Sequence, residues 1–321
     1  MNSVSELFSK YIHEEITNCK VIDSSREDDF RMNYIINNHY VLRVNSASLT
    51  EERLAEIDRL QKRYSDIGIK APAIYRNKEG GYLLNLEDKV CYLTEYINEK
   101  TLSEVSEKEE IIKEVLIRNG EFAQRYKNID LINTRSMWSV IKLAPLDNEV
   151  DEKQENLNLL INALKQHGEN ELANELVRTN EEIREVIAEH LDELPECVIQ
   201  GDLNESNILV RDGHFHGLID FNMAGTEVII NQFCCESNVT VEEKDFDSLS
   251  VNELYEKVIS KQNECLYLLS LKYELKELEK RMLPYYRKLA MISQYPNVCA
   301  YIYLLKKDAR KTVDYLKLCL K

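Results

Sequence analysis

One run constrains this chain more than any other: Gln200-Gly201-Asp202-Leu203-Asn204-Glu205-Ser206-Asn207, followed by Gly217-Leu218-Ile219-Asp220-Phe221. Between the two lie Ile208-Leu209-Val210 and Phe215-His216-Gly217-Leu218-Ile219, which read as short strands joined by Arg211-Asp212-Gly213-His214. An Asp-Gly pair flanked by apolar runs is a strong hairpin signal. Glu196-Cys197-Val198-Ile199 is a short apolar lead-in, and Gly201 allows a tight turn immediately before Asp202. A hairpin returns its ends to one place. Asn207, before the first strand, and Asp220, after the second, should therefore face a common point.

The residue types at that point suggest their chemistry. A carboxylate and an amide oxygen are hard ligands of the kind magnesium accepts when phosphate and water oxygens complete its shell. Asp202 is then placed to orient an attacking hydroxyl and accept its proton. Taken singly, each of the three could be a turn or capping residue. The spacing and the intervening hairpin favour a shared site.

On these residues the segment resembles the aminoglycoside phosphotransferase and choline kinase family of small-molecule kinases, whose usual run is His-Gly-Asp-x-x-x-x-Asn, a hairpin, then Ile-Asp-Phe or Ile-Asp-Trp. Gly201-Asp202, Asn207 and Ile219-Asp220-Phe221 match it. The resemblance implies an α+β, two-lobed, protein-kinase-like fold with a small β-rich N-lobe and a larger, mainly helical C-lobe. It implies phosphoryl transfer from a nucleotide, ATP with GTP not excluded, with Mg2+, to a hydroxyl of a small molecule. Asp202 would be catalytic, and Asn207 and Asp220 would hold the metal.

Weaker matches extend the resemblance upstream. Tyr40-Val41-Leu42-Arg43-Val44 looks like the strand whose basic residue contacts the α- and β-phosphates, with Arg43 where many kinases carry lysine. Ser48-Leu49-Thr50-Glu51 is a capping-box pattern opening a helix, along which Leu54, Ile57, Leu60 and Tyr64 recur at helical spacing. Glu56 falls where the family's partner to the basic residue would lie. Glu52 competes for that role. Val90 to Ile97 resembles the strand and hinge that hold the adenine, with Glu95, Tyr96 and Ile97 in the hinge at about 95–99. Three departures stand out: Gln200 in place of histidine, a glycine-free acidic loop at 24–29, and Asn222 after Asp220-Phe221. The family varies at the position of Asn222, but Gln200 and the glycine-free loop motivate an alternative, a catalytically impaired nucleotide-binding pseudokinase or structural protein of the same fold.

The period of the apolar pattern divides the chain. Val4, Leu7, Phe8, Tyr11 and Ile12 suggest a helix within residues 1–19. Short apolar runs and one helix follow to residue 97, with Gly80-Gly81 as a hairpin turn between Ala73-Ile74-Tyr75 and Tyr82-Leu83-Leu84. From the second capping box, Thr101 to Glu104, the pattern is helical. The expected domains are a nucleotide-binding lobe at 1–97 and a helical lobe at 98–321. One long helix is expected to stop at Pro284 and another to occupy residues 298–320.

Composition adds exclusions. With 57 acidic against 41 basic residues the formal charge is −16, which disfavours nucleic acid and anionic membranes as partners. The excess is compatible with a cationic, amino-bearing acceptor such as an aminoglycoside or a choline-like amine, and Glu227, Glu236, Glu242, Glu243, Asp245, Asp247 and Glu264 would supply carboxylates near it. No stretch has transmembrane length, and the N-terminus lacks signal-peptide character. Eight cysteines without a Cys-x-x-Cys pair suggest reduced thiols in a cytoplasmic protein.

Overall fold

The computed structural model describes residues 3–25, 30–46, 49–144 and 149–321. Along the chain run α1 (Val4–Ser9), β1 (Cys19–Asp23), β2 (Arg31–Ile36), β3 (Tyr40–Ser46), α2 (Glu51–Asp66), β4 (Ile74–Tyr75), β5 (Leu84–Leu86), β6 (Lys89–Glu95) and β7 (Lys100–Thr101). There follow α3 (Glu109–Tyr126), α4 (Glu152–Gln166), α5 (Asn170–His190), β8 (Glu196–Ile199), β9 (Ile208–Arg211), β10 (His214–Leu218) and β11 (Gly225–Val228). The chain ends with α6 (Ile229–Glu236), α7 (Glu243–Ser248), α8 (Val251–Ser270), α9 (Glu277–Ser293), α10 (Tyr295–Lys307) and α11 (Ala309–Cys319).

These elements form two compact units, Met1–Ile111 with Asp202–Asn222, and Ile112–Gly201 with Met223–Lys321. A single boundary at residue 97 therefore does not describe the chain, because the β9–β10 hairpin packs with the first unit. Two backbone contacts put it there. Strand β7 pairs antiparallel with β9, Lys100 opposite Val210. Lys70 N–H donates to His216 O at 2.9 Å and Leu218 N–H donates to Lys70 O at 2.8 Å.

The first unit is built on a sheet in the order β1-β2-β3-β6-β4, with β5 also pairing β6. Residues paired directly across an antiparallel ladder share a face. Leu42, Val44, Cys91 and Leu93 form one face and pack with Leu7, Phe8 and Tyr11. Arg43 and Tyr92, paired in register, take the other, with Thr94 two residues on. Helix α2 starts at Thr50, whose side chain accepts from Arg53 N–H at 3.1 Å. The cap thus falls two residues after the expected Ser48, which lies outside the described residues. Glu51 instead accepts from the N–H groups of Tyr82 and Leu83, at 2.9 and 2.7 Å.

That use of Glu51 corrects the expected hairpin. The 77–81 turn does close, Asn77 N–H donating to Gly81 O at 2.7 Å. Its flanks do not pair, since Tyr82 and Leu83 have given their donors to a side chain. Strand β5 pairs β6, Leu86 opposite Lys89. Helix α1 is also shorter than the periodicity suggested. Beyond it Tyr11 acts as a strut, its hydroxyl donating to either of two carbonyl oxygens, Tyr82 O and Cys91 O, each at 2.8 Å. The Thr101 capping box closes only one 3-10 turn, with Thr101 N–H on Glu104 Oε2 at 2.8 Å.

The second unit is helical around β8 and β11. One core gathers Leu157, Leu160, Leu176, Leu254, Tyr301 and Leu316, and another Ile187, Ile230, Cys234, Tyr286 and Leu289. Helix α9 runs through Pro284 rather than stopping there. Proline removes one N–H but need not end a helix whose other face is anchored, and Tyr286 and Leu289 are fully buried just beyond it. The expected single helix at 298–320 is two, broken at Asp308, whose side chain caps α11 by accepting from Lys311 N–H at 2.9 Å. Inside this unit Lys153, 2% exposed, donates to Trp138 O at 2.7 Å, and Glu227, 1% exposed, accepts from Asn231 at 2.9 Å. Among the described residues, which include all eight cysteines, there is no disulfide. No helix of the described residues is long and apolar enough to cross a membrane.

Two predictions follow from this packing. A Cβ on Gly217 would lie 2.2 Å from Lys70 O. Gly217→Ala should therefore cost about 2 kcal/mol or more, read as a lowered denaturation midpoint, and an unchanged midpoint would contradict the bridge. In α6, Glu236 accepts from Asn119 at 3.0 Å and Gln232 at 2.7 Å, yet desolvation raises its carboxyl from the ordinary 4.5 to about 7. The folded chain thus holds a proton that the unfolded chain has released between those pH values. Stability should fall as pH rises through that window and then level off. Glu236→Gln, which mimics the protonated acid, should flatten this dependence by a few degrees in Tm between pH 5 and 8.

Candidate active site

The β9–β10 hairpin turns through Asp212 and Gly213, both left-handed at φ 52° and 81°. That is the two-residue type I′ geometry expected of Asp-Gly. Strand β10 has an irregularity between Phe215 and Gly217. It leaves the His216 carbonyl free to accept from Lys70. Gly201 has φ 82°, and a Cβ there would lie 2.2 Å from Met223 O. Only glycine fits ahead of Asp202 without displacing that backbone.

The loop between Asp202 and Asn207 is closed by its own side chains. Asn207 Nδ2 donates to Asp202 O and to Asp202 Oδ2, both at 3.0 Å. Asn204 Nδ2 donates to Asp202 Oδ1 at 2.8 Å. The Asp202 carboxylate is thus held at both oxygens by neutral amides. Because the Asn207 amide nitrogen is committed to Asp202, its side-chain oxygen is the group left to face a ligand. Ile219 N–H donates to Asn207 O at 2.9 Å, which ties the residue before Asp220 to Asn207 as the hairpin argument required. Asp220 is itself left-handed, φ 55°, a conformation unfavourable for most side chains but tolerated by aspartate and often held at functional sites.

A pocket in the same unit is lined by Arg43, Tyr92 and Thr94 of the sheet, by Leu54, Ile57 and Gln61 of α2, and by Asp220 and Phe221. Phe221 packs edge-on against Tyr64 with centroids 5.6 Å apart. Arg43 therefore shares a pocket with Asp220. It does not pair with Glu56. Glu56 accepts from Arg53 Nη1 at 3.2 Å, because positions three apart on a helix are neighbours and Arg53 is the nearer cation. Arg53 in turn donates from Nη2 to Asn222 O at 3.0 Å. Glu56 thus acts on the segment after Asp220 through Arg53. Sequence reasoning missed Gln61, though its spacing from Leu54 and Ile57 placed a polar residue on the apolar stripe of α2.

The hinge residues are partly committed. Glu95 accepts from Lys70 Nζ at 2.6 and 2.7 Å and from Ala73 N–H at 3.1 Å. Glu95 N–H donates to Ala73 O and Tyr96 N–H donates to His39 O, both at 2.8 Å. Among the described residues nothing accepts the Ile97 N–H. Arg26 to Asp29 of the acidic loop lie outside the described residues. Gln200 is buried. The acid-rich run expected near an acceptor is largely engaged within its own unit: Glu243 and Asp247 with Lys307, Asp245 with Lys257, and Glu242 with Lys244.

No curated protein sequence matches the chain. Among solved structures, the spectinomycin phosphotransferase APH(9)-Ia, in complex with ADP and spectinomycin, aligns with TM-score 0.55 at 13% identity, covering 98% of this chain and 93% of that one. The amicoumacin kinase hAmiN, in complex with AMP-PNP, Ca2+ and Ami, aligns with TM-score 0.52 at 13% identity, covering 98% of this chain and 90% of that one. The fold is that of these kinases. The sequence profile of the phosphotransferase enzyme family (APH) matches residues 25–230, which carry every residue placed above at the hairpin, the pocket and the hinge, and the chain belongs to that family of small-molecule kinases.

Proposed function

We propose that the chain transfers the terminal phosphoryl group of a nucleoside triphosphate, ATP first and GTP second, to a hydroxyl of a small molecule. The observation that supports this best is the closed Asp202–Asn207 loop tied at Ile219 to Asp220, with Arg43 in the same pocket as that carboxylate. Phosphoryl transfer demands placement and charge more than covalent help from the protein.

Asp202 is the catalytic base in this reading. Its carboxylate, fixed by Asn204 and Asn207, takes the acceptor hydroxyl proton as the new oxygen–phosphorus bond forms. The bond from phosphorus to the β–γ bridging oxygen breaks, and the diphosphate leaves. Asn207 Oδ1 and the Asp220 carboxylate are the hard oxygens suited to magnesium, which would supply charge neutralisation on the phosphates. Among the described residues no cluster of three or more His, Cys, Asp or Glu side chains could hold a metal ion. A magnesium here would therefore draw the rest of its shell from phosphate and water. Arg43 places a fork-shaped cation against the phosphates. At the hinge, the Glu95 carbonyl and the Ile97 N–H are the adenine contacts we assign. Tyr96 contributes its backbone to His39 instead. Glu56 supports the metal segment through Arg53.

The acceptor is the least constrained part. An amino-bearing compound is the first class to test, on the strength of the overall negative charge. The lysine pairs along the acid-rich run mean that attraction would come from the net field rather than from free carboxylates there. Coupled assay across amino alcohols, aminoglycosides and neutral sugars tests this, since a cationic acceptor's kcat/KM should fall with added salt.

Asp202→Asn should retain magnesium–nucleotide binding by calorimetry while turnover falls by about a hundredfold or more. Asp220→Ala should lose the magnesium-dependent part of nucleotide affinity. Parental turnover in both variants would overturn the assignment.

A further inference from the structure

A cavity of about 240 Å³ opens in the second unit between α8, α9 and the end of α11. It shares no residue with the pocket around Asp220. Its apolar lining includes Ile259, Leu283 and Met291, and its cations are Arg287, Lys288 and Lys321. No acidic side chain lines it. In a chain with 57 acids against 41 bases, three cations around one cavity without a carboxylate are the opposite of what net charge alone would arrange.

Neutral groups hold Arg287 in place. Its Nε–H donates to Gln262 Oε1 at 2.9 Å, Nη1 donates to Asn263 Oδ1 at 2.8 Å, and Nη2 donates to Ile259 O at 3.4 Å. Gln262 is itself 2% exposed. An arginine carries five N–H donors, so one on each terminal nitrogen is uncommitted. Lys288 donates to Leu320 O at 2.9 Å, which satisfies a carbonyl at the end of α11 and leaves two of its own donors. Among the described residues none of the three cations makes an ion pair. Other partly buried arginines of this unit do have a carboxylate, Arg135 with Glu196 and Arg184 with Asp151, each at 2.6 Å. Burial lowers the Arg287 guanidinium from its ordinary value, as expected of a cation desolvated without a counter-ion.

We infer that this cavity binds a compact organic carboxylate with an apolar body. The carboxylate supplies the counter-charge that Arg287 lacks, and its two oxygens match the two N–H groups left on the guanidinium fork. The body displaces water from Ile259, Leu283 and Met291. A bare inorganic anion gains only the first of these contacts, and a neutral apolar molecule only the second. Lys288 and Lys321 add attraction for an anion at longer range. The volume limits the body to a single ring or a short branched chain, since drug-sized ligands occupy about 300 Å³ or more. The cavity draws on none of the residues assigned to phosphoryl transfer, so either assignment can fail without the other.

The test is calorimetric titration of the full chain with benzoate at low salt, with benzamide, benzylamine and sulfate as comparators. Benzoate should bind saturably with a Kd of about 1 mM or tighter, and each comparator at least about tenfold more weakly. Arg287→Gln should weaken benzoate by about tenfold or more. Ile259→Trp, which fills the cavity, should abolish its binding. Arg43→Gln, in the first unit, should leave benzoate affinity within about twofold. Thermal unfolding without ligand reports whether each variant is folded. Ile259→Trp carries the test if Arg287→Gln is not folded, and the comparator series on the parent chain stands in either case. Absence of saturable benzoate binding, equal binding of benzamide, or parental affinity in a folded Arg287→Gln or Ile259→Trp would overturn the inference. So would a loss confined to Arg43→Gln, which would place the anion in the pocket of the first unit.

Discussion

The geometry of the candidate site depends most on one backbone contact, the bridge between Lys70 and Gly217, which the β7–β9 pairing reinforces. Lys70 lies in the connector between α2 and β4, and Gly217 lies in β10, three residues before Asp220. Two hydrogen bonds and a close approach that only glycine permits weld the hairpin to the N-terminal sheet. With the hairpin anchored, Asn207 and Asp220 are delivered from its two ends, and Arg43, Thr94 and Gln61 come from the sheet and helix on which it rests. The same connector matters a second time, since the Lys70 side chain holds Glu95 at the hinge. One residue thus ties the β9–β10 hairpin and the end of β6 to a common frame.

Two asparagines hold the Asp202 carboxylate, and Arg43 shares its pocket with Gln61. Neutral partners orient a charged group without cancelling it, which suits a site that must keep a carboxylate basic. Elsewhere the chain uses true ion pairs. Glu56 with Arg53 and Glu95 with Lys70 both lock backbone segments rather than face the pocket. The contrast separates groups that brace from groups that act.

The second unit shows opposite treatments of charge. Asp151, 2% exposed, receives both terminal nitrogens of Arg184 at 2.6 and 2.8 Å, and although burial alone would raise its carboxyl, that pair and the backbone N–H groups of Ile141 and Gln154 hold it below the usual range. Glu236 lacks a cationic partner of that kind, and desolvation wins. The surface acids around α7 find lysines on α8, α10 and their own turn. An acidic sequence therefore does not amount to an acidic pocket.

Much of the site was legible in the sequence because its signals are local. Asp-Gly between apolar runs fixes a type I′ turn, a glycine before Asp202 fixes a left-handed bend, and the short spacing from Asp202 to Asn207 fixes a loop that can bond to itself. The strands around Arg43 and the hinge, and the helical stripe of Leu54, Ile57 and Tyr64, were equally readable from period. What spacing could not determine was the partner of each polar group. Glu51 serves Tyr82 and Leu83 rather than its own cap, Glu56 serves Arg53 rather than Arg43, and Gln61 faces the pocket. Each choice depends on which groups approach within about 3 Å across segments far apart in the chain. The sequence by itself determined the turns, the periods and the catalytic spacing, because backbone sterics and side-chain period act over a few residues. Only the tertiary structure decided which charges are spent on bracing and which are left for a ligand, because that competition is settled by distance through space.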